Sequence, residues 1–215
     1  MLGIIPAAGK GERWGGFYKE LLPIGDNRWL IDNTIDAMKT VGCERICLVT
    51  SPEKIHVHVQ HFNKEKYKDL NIFFVINKGK EMWDSIVASF PYTEEYNYFA
   101  MPDTLYPVDS FPNKISFNIF GMGLFKTDKP ERFGILKDGT IMNKMNCFGK
   151  KPFTAWGTLC WAKDTYEEFW KDKGIPNYTE AINVILRDGI YLEYVLDYYY
   201  DFATFKDYEE YIKNV

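Results

Sequence analysis

Several things are scarce in this chain. Only four cysteines occur in 215 residues, Cys43, Cys47, Cys147 and Cys160, and no two of them form a CxxC pair. That spacing argues against a disulfide framework or a cysteine-built zinc site. Reduced, partly buried thiols are the expectation, as in a cytoplasmic protein, because no secretory segment precedes the first apolar run at Leu2–Pro6. No apolar run approaches the ~18 residues that would span a bilayer, so no membrane partner is expected. Basic charge is not in excess either. A formal net charge of -4 argues against a general nucleic-acid partner, so any anion binding must come from locally placed cations. Histidine is limited to His56, His58 and His61. Spacings of two and three do not put all three on one helical face, which predicts surface or capping histidines rather than a metal site. There is no internal repeat, low-complexity tract or linker.

Aromatic residues, by contrast, make up 17% of the chain, which argues for a packed core and against disorder. In the first half, apolar segments alternate between strand and helix character. Leu2–Pro6, Arg45–Thr50, Asn71–Ile76 and Tyr96–Met101 read as strands. Trp29–Val41, Pro52–Phe62 and Glu81–Phe90 read as helices. Strand, helix, strand, helix at this spacing predicts right-handed crossovers and a mostly parallel sheet. The second half reads as a long strand Ile115–Phe125, a hairpin turning at Asp138-Gly139, a strand Thr154–Ala162, helices Asp164–Lys171 and Tyr178–Arg187, a strand Ile190–Leu196 and a last helix Lys206–Ile212. One continuous domain, 1–215, is the expectation. The aromatic run Tyr191–Phe202 is either core or a contact surface of a homo-oligomer.

The most informative segment is Ile4–Ile24, IIPAAGKGERWGGFYKELLPI. An apolar strand breaks into a small-residue loop with Lys10 and Arg13, and Lys19 follows before the next apolar segment. Gly9 and Gly11 lack a Cβ, so a ligand can come close to the main chain, and main-chain N–H groups with nearby cations can wrap a polyphosphate. A dinucleotide fingerprint does not fit. The spacing is G-x-G-x-x-x-G, one residue too long, and no acid closes the second strand. The plain alternative is an ordinary strand-to-helix turn. Asp103 stands just beyond the strand Tyr98–Met101, where ligands of open α/β sheets sit. It is either a ligand for a hard cation or an Asx turn beside Pro102. Asp201 is a lone acid in an aromatic stretch and reads as a second cation ligand, since Thr204 or Asp207 would cap the last helix better. Lys150-Lys151 before Pro152 is either a solvated loop or a phosphate clamp.

In this order the segments resemble the sugar-nucleotide pyrophosphorylases, nucleotidyltransferases of the NTP-transferase type. Pro6–Arg13 with Lys19-Glu20-Leu21-Leu22-Pro23-Ile24 resembles their G-x-G-x-R…K-x-L-L-P-I signature. Gly79–Ala88 is similar to their base-pocket segment, and Pro102-Asp103-Thr104 to their metal-binding aspartate. Glu131–Gly139 resembles their ERYGV…DG hairpin, Lys151-Pro152 the Lys-Pro of their E-K-P motif, and Trp156-Gly157-Thr158 their following T-G strand. Asp201–Thr204 with Asp207-Tyr208 is similar to their closing D-I-G-T-x-x-D-Y.

The resemblance implies a Rossmann-like, glycosyltransferase-A-like α/β fold, a three-layer α/β/α sandwich around a mixed, mostly parallel sheet. It implies a nucleotide-binding half, 1–113, and an acceptor-binding half, 114–215. By the same resemblance Arg13, Lys19, Asp103 and Asp201 are catalytic, with Asp103 and Asp201 holding Mg2+. Ala7, Ala8, Gly9, Lys10, Gly11, Gly79, Asp84 and Ser85 would bind the nucleotide, and Lys151, Gly157 and Thr158 the acceptor. The implied partners are an NTP and a phosphorylated small molecule such as a sugar 1-phosphate. Tyr18 replaces a proline of the signature, Lys150 its glutamate, Trp83 a small residue and Ala203 a glycine. These departures leave a phosphorylated alcohol such as phosphocholine as a second acceptor class. A methylerythritol-phosphate-type cytidylyltransferase shares the P-A-A-G-x-G-x-R start but not the hairpin or Lys151-Pro152. A non-catalytic nucleotide sensor is the remaining alternative.

Overall fold

All five residues of β1 (Leu2–Pro6) are buried, and its alternating side chains leave the sheet on opposite faces. Leu2 and Ile4 enter one core cluster and Ile5 another. A strand buried on both faces lies inside a sheet covered by helices on both sides. The structure, a computed structural model, describes residues 1–11, 14–79, 81–112, 120–143, 151–163, 170, 174–188 and 191–214. β1 pairs in parallel with β4 (Arg45–Thr50) and β6 (Tyr96–Ala100), and β4 pairs in parallel with β5 (Asn71–Ile76). The crossovers are α1 (Leu30–Thr40), α2 (Ile55–Phe62) and α3 (Met82–Ser89). Ile31, Ile35 and Met38 of α1 and Phe62 of α2 pack on one face, Trp83 and Ile86 of α3 on the other.

The second half extends this sheet through one reversed strand. β11 (Phe153–Ala162) runs antiparallel to β6 over Thr158–Ala162 and antiparallel to β8 (Phe120–Thr127) on its other edge. β12 (Tyr191–Val195) lies parallel to β8. The first residues of β11 pass beyond the carboxyl end of β6 and meet the hairpin of β9 (Gly134–Lys137) and β10 (Thr140–Asn143), with Ala155 opposite Ile135. α4 (Tyr178–Asp188) closes that edge: the Asn183 side chain accepts from Ile141 N (2.6 Å) and donates to Ile141 O (3.1 Å). The sheet is therefore mixed and mostly parallel, as expected.

Two short pairings stand outside the predicted elements. β2 (Pro23–Gly25) and β3 (Arg28–Trp29) form a hairpin whose turn residues, Asp26 and Asn27, have φ of 43° and 58°. β7 (Thr104–Leu105) pairs antiparallel with β13 (Tyr200–Asp201), just ahead of the last helix α5 (Phe205–Ile212). Trp29, expected inside α1, occupies its N-cap instead. The predicted strand from Ile115 is observed from Phe120, and its first residues, like most of the predicted helix 164–171, lie outside the described residues. His58 and His61 are corrections to the expected surface histidines. Both are buried, because each has a polar partner inside: Glu20 and Thr50 for His58, Tyr67 for His61. No described helix is long and apolar enough to cross a membrane.

Candidate active site

The loop after β1 begins at the carboxyl edge of the sheet. Ala7 N–H still donates to Val49 O (2.7 Å), so strand pairing runs one residue past β1 before the chain turns away. Ala7 is buried, Ala8 partly exposed, and Lys10 exposed. A Cβ on Gly9 would meet nothing within 4 Å, which leaves the main chain open to a ligand. Gly11 has a different task. Its φ of +65° suits glycine, and a Cβ there would lie 2.4 Å from Phe17 O. Its carbonyl accepts from Trp14 N (2.8 Å) and Gly16 N (3.1 Å), which closes the loop on itself. Arg13 lies outside the described residues.

Lys19 opens a one-turn 3-10 helix (Lys19–Leu21), and its Nζ pairs with the carboxylate of Asp103, both side chains being largely buried. Asp103 follows β6 in a turn held by Thr34 and Thr104 hydroxyls on Met101 O (2.8 and 3.1 Å). Its carboxylate therefore serves Lys19, while hydroxyls rather than an Asx bond hold the turn. Thr104, the next residue, pairs with Asp201, and Phe202 N–H donates to Asp103 O (3.4 Å). Two acids 98 positions apart in sequence thus flank one short ribbon. Tyr199 reports on both: burial first, and then the Asp201 and Asp103 carboxylates, push its phenol well above the ordinary value.

Arg132, from the turn before β9, is the cation of the second acid. Its Nη1 is 3.9 Å from Asp201 and 3.0 Å from Asp207. Asp207 also forms the capping box of α5 with Thr204. Burial raises the Asp207 carboxyl, but the Thr204 hydrogen bonds and the Arg132 guanidinium outweigh it and hold the value at about 2. A carboxyl held below its unfolded value stabilises the fold above that unfolded value, near 4. The contribution, on the order of 2 kcal/mol, disappears as pH falls from about 4 through about 2. Asp207→Asn is expected to lower stability at pH 7 by that amount and to flatten the acid limb of a denaturant-unfolding series from pH 5 to 2. An unchanged acid limb would show that Asp207 is not anchored this way.

The segment expected to bind the nucleotide is tightly self-bonded. Asn77 accepts from Gly79 N (2.8 Å) and donates to the buried Ser85 hydroxyl (3.1 Å). Asp84 accepts from Glu81 N (2.9 Å) as a cap of α3, and its carboxylate packs against Gly79, where a Cβ would lie 2.3 Å from it. The side chains of Asp84 and Ser85 thus shape the turn at Gly79 and the start of α3 from within. Among the residues expected to bind the acceptor, Lys151 is exposed. A Cβ on Gly157 would strike the Tyr199 ring at 2.4 Å, and Tyr199 OH donates to Gly157 O (3.4 Å). Thr158 is fully buried with its hydroxyl on Tyr194 OH (2.9 Å). Its side chain is therefore turned into the core and is not presented to an acceptor, because the strand alternation at the bulge between Trp156 and Thr158 aims it inward.

Trp14, Arg132 and Tyr199 had no role in the sequence reading. Trp14 sits between loop glycines and Arg132 in the hairpin motif, so a signal existed for both. Tyr199 is one of three consecutive tyrosines and had none. Among the described residues no three His, Cys, Asp or Glu side chains converge. A cation here would rest on two carboxylates and on ligand oxygens, which is how Mg2+ is commonly held alongside substrate phosphates.

Residues 3–109 match the model of the MobA-like NTP transferase domain. No curated protein matches the sequence. Among solved structures, a Bacillus anthracis protein assigned as a glucose-1-phosphate thymidylyltransferase, in complex with sucrose, superposes with a TM-score of 0.83 at 18% identity, covering 100% of this chain and 95% of that one. The inositol-1-phosphate CTP transferase from T. maritima superposes with a TM-score of 0.71 at 18% identity, covering 98% and 93%. At that identity the likeness is one of fold, and it runs through both halves of the sheet. Residues 3–109 are thus similar to the MobA-like NTP transferases, and the whole chain has the glycosyltransferase-A-like fold of the nucleotidyltransferases it superposes on.

Proposed function

We propose that the chain joins an NTP to a sugar 1-phosphate, or to a similar phosphorylated polyol, giving the nucleoside-diphosphate derivative and pyrophosphate. The observation that carries this reading is the β7–β13 ribbon, in which Thr104, the residue after Asp103, pairs with Asp201, together with Lys19 on Asp103. An acceptor phosphate oxygen attacks the α-phosphorus. The bond from that phosphorus to the bridging oxygen of the β-phosphate breaks, and its electron pair leaves with pyrophosphate. The protein's task is to align two anions and offset their charge. Asp103 and Asp201 would hold Mg2+, which when bound neutralises phosphate charge and orients the reacting groups. Gly9, Lys10 and Gly11 offer main-chain donors and a cation to the triphosphate, joined in this reading by Arg13. Lys19 is drawn from Asp103 toward the departing pyrophosphate. Ala7, Ala8 and Gly79 line the base side, and Lys151 anchors the acceptor phosphate. The free thiols of Cys43, Cys47 and Cys160, the latter two buried, support a reducing compartment, the cytoplasm.

Pyrophosphate release tests the reading, with Mg2+, each of four NTPs and a panel of glucose 1-phosphate, inositol 1-phosphate, phosphocholine and methylerythritol phosphate. Release is expected only when NTP and acceptor are both present, with a sugar or inositol phosphate preferred. Nucleotide binding with no release across an extended panel of phosphorylated acceptors would make the chain a sensor. Release with methylerythritol phosphate alone would make it that kind of cytidylyltransferase.

Lys151→Ala should raise KM for the acceptor about 10- to 100-fold, the value of one hydrogen bond to a charged group. Nucleotide affinity, measured separately by calorimetry, should stay within about twofold of wild type if this exposed residue serves the acceptor alone. A collapse of nucleotide binding instead would remove Lys151 from the acceptor site.

A further inference from the structure

Behind the glycine loop lies a buried group of titratable side chains that the proposed chemistry does not use. Lys54, in the turn before α2, is 7% exposed as a side chain, Glu20 5% and His58 0%. Lys54 Nζ pairs with the Glu20 carboxylate and donates to the carbonyl of Gly9 at 3.0 Å. It also lies 5.4 Å from the centre of the Tyr18 ring. His58 Nε2 is 2.9 Å from Glu20 Oε1, and its Nδ1 is 2.7 Å from the Thr50 hydroxyl. An ionised carboxylate only accepts, so Nε2 carries the proton toward Glu20 and Thr50 completes the ring's bonding. Burial raises the Glu20 carboxyl, but the His58 hydrogen bond and Lys54 outweigh it and hold it below the usual range. Buried charges are retained at a cost, which falls when they are paired and fully bonded.

The geometry gives this group a consequence for the loop. A trans peptide is planar, with its C=O and N–H pointing to opposite sides. With the Gly9 carbonyl tied to Lys54, the N–H of Lys10 is turned away from the buried group. That N–H has no acceptor among the described residues, and the main chain at Gly9 is open. Glu20 follows Lys19 directly, so one ion pair links the glycine loop to the turn that carries the Asp103 partner. We propose that Lys54 is a positioning residue for the triphosphate: it fixes the Gly9–Lys10 peptide so that the Lys10 N–H faces the anion, and Glu20, braced by His58, keeps it there. This rests on the reading of the loop as the triphosphate site.

Lys54→Met removes the donor but leaves the buried Glu20 carboxylate without its cation and with only the His58 bond, so the double variant Lys54→Met/Glu20→Gln is made with it. For the double variant, folded by circular dichroism, the expected results are a roughly tenfold or larger rise in KM for NTP and an equal weakening of inorganic tripolyphosphate binding by calorimetry, as for loss of one charge-assisted contact network. The KM for the acceptor should not change, a split that a general loosening of the fold would not produce. A double variant that binds tripolyphosphate as tightly as wild type overturns the role of Lys54 while leaving the functional reading intact. A wild-type chain that binds neither NTP nor tripolyphosphate overturns the reading of the loop, and the role of Lys54 with it.

Discussion

Asp103→Ala and Asp201→Ala should each lower kcat for pyrophosphate release by about 10²- to 10³-fold, the scale seen when a single preorganised charge-stabilising group is removed from an active site. Each acid sits at one side of the ribbon in which Thr104 faces Asp201, and each faces a cation of the protein, Lys19 or Arg132. With one carboxylate gone, a divalent ion would keep a single protein ligand beside two mutually repelling phosphates. The fold should survive both changes. Lys19 is 16% exposed and Arg132 22%, so each can turn toward water, and Arg132 keeps Asp207 at 3.0 Å. A loss of about 1–3 kcal/mol for an orphaned, partly buried partner leaves a folded chain if the total lies in the usual range of about 5–15 kcal/mol. Single-turnover assays with a thermal melt of each variant check both halves. Wild-type turnover by Asp201→Ala would remove the second acid from the reaction, whatever the melt shows.

The central strands themselves were legible because β1, β4, β5 and β6 are short apolar runs separated by helix-period segments. The Asp26-Asn27 turn was also legible in principle, as two residues that tolerate positive φ between short apolar stretches. The ribbon that joins the two acids was not. Strands of two residues have no period to read, and their register comes from long-range packing. The buried ion pair of Lys54 and Glu20 was hidden for a related reason: sequence reading expects charges outside, and only the tertiary partner decides otherwise. Asp84 and Thr158 show the limit of motif order. Both lie in segments that resemble substrate-binding ones, yet Asp84 caps a helix and Thr158 bonds Tyr194 inside the sheet. A motif locates a segment near a ligand, while backbone alternation and local capping decide which atoms of it face that ligand.

Trp14→Ala is expected to destabilise the chain by about 3–5 kcal/mol, as for other buried aromatic truncations, which is a large share of a typical total stability. Trp14 is 6% exposed and forms the centre of a separate cluster with Ile24, Leu30, Leu105 and Phe202. Its ring meets Phe205 and Tyr208 of α5 edge-on at 5.7 and 6.1 Å, and its Nε1 donates to Phe202 O at 3.0 Å. Through Phe202, whose N–H reaches Asp103 O, this one side chain ties the glycine loop to both acids. Trp14→Phe separates packing from tethering. Most of the apolar contact survives, and the unsatisfied Phe202 carbonyl should cost about 1–3 kcal/mol. If the tether aligns the ribbon, Trp14→Phe should also lose about tenfold in kcat with an unchanged KM for NTP, the signature of a contact that matters more in the transition state than in the ground state. Urea unfolding and steady-state kinetics on the two variants check both effects. A Trp14→Ala chain as stable as wild type would mean that this cluster does not hold the loop, and a fully active Trp14→Phe would mean that the acids are aligned without it.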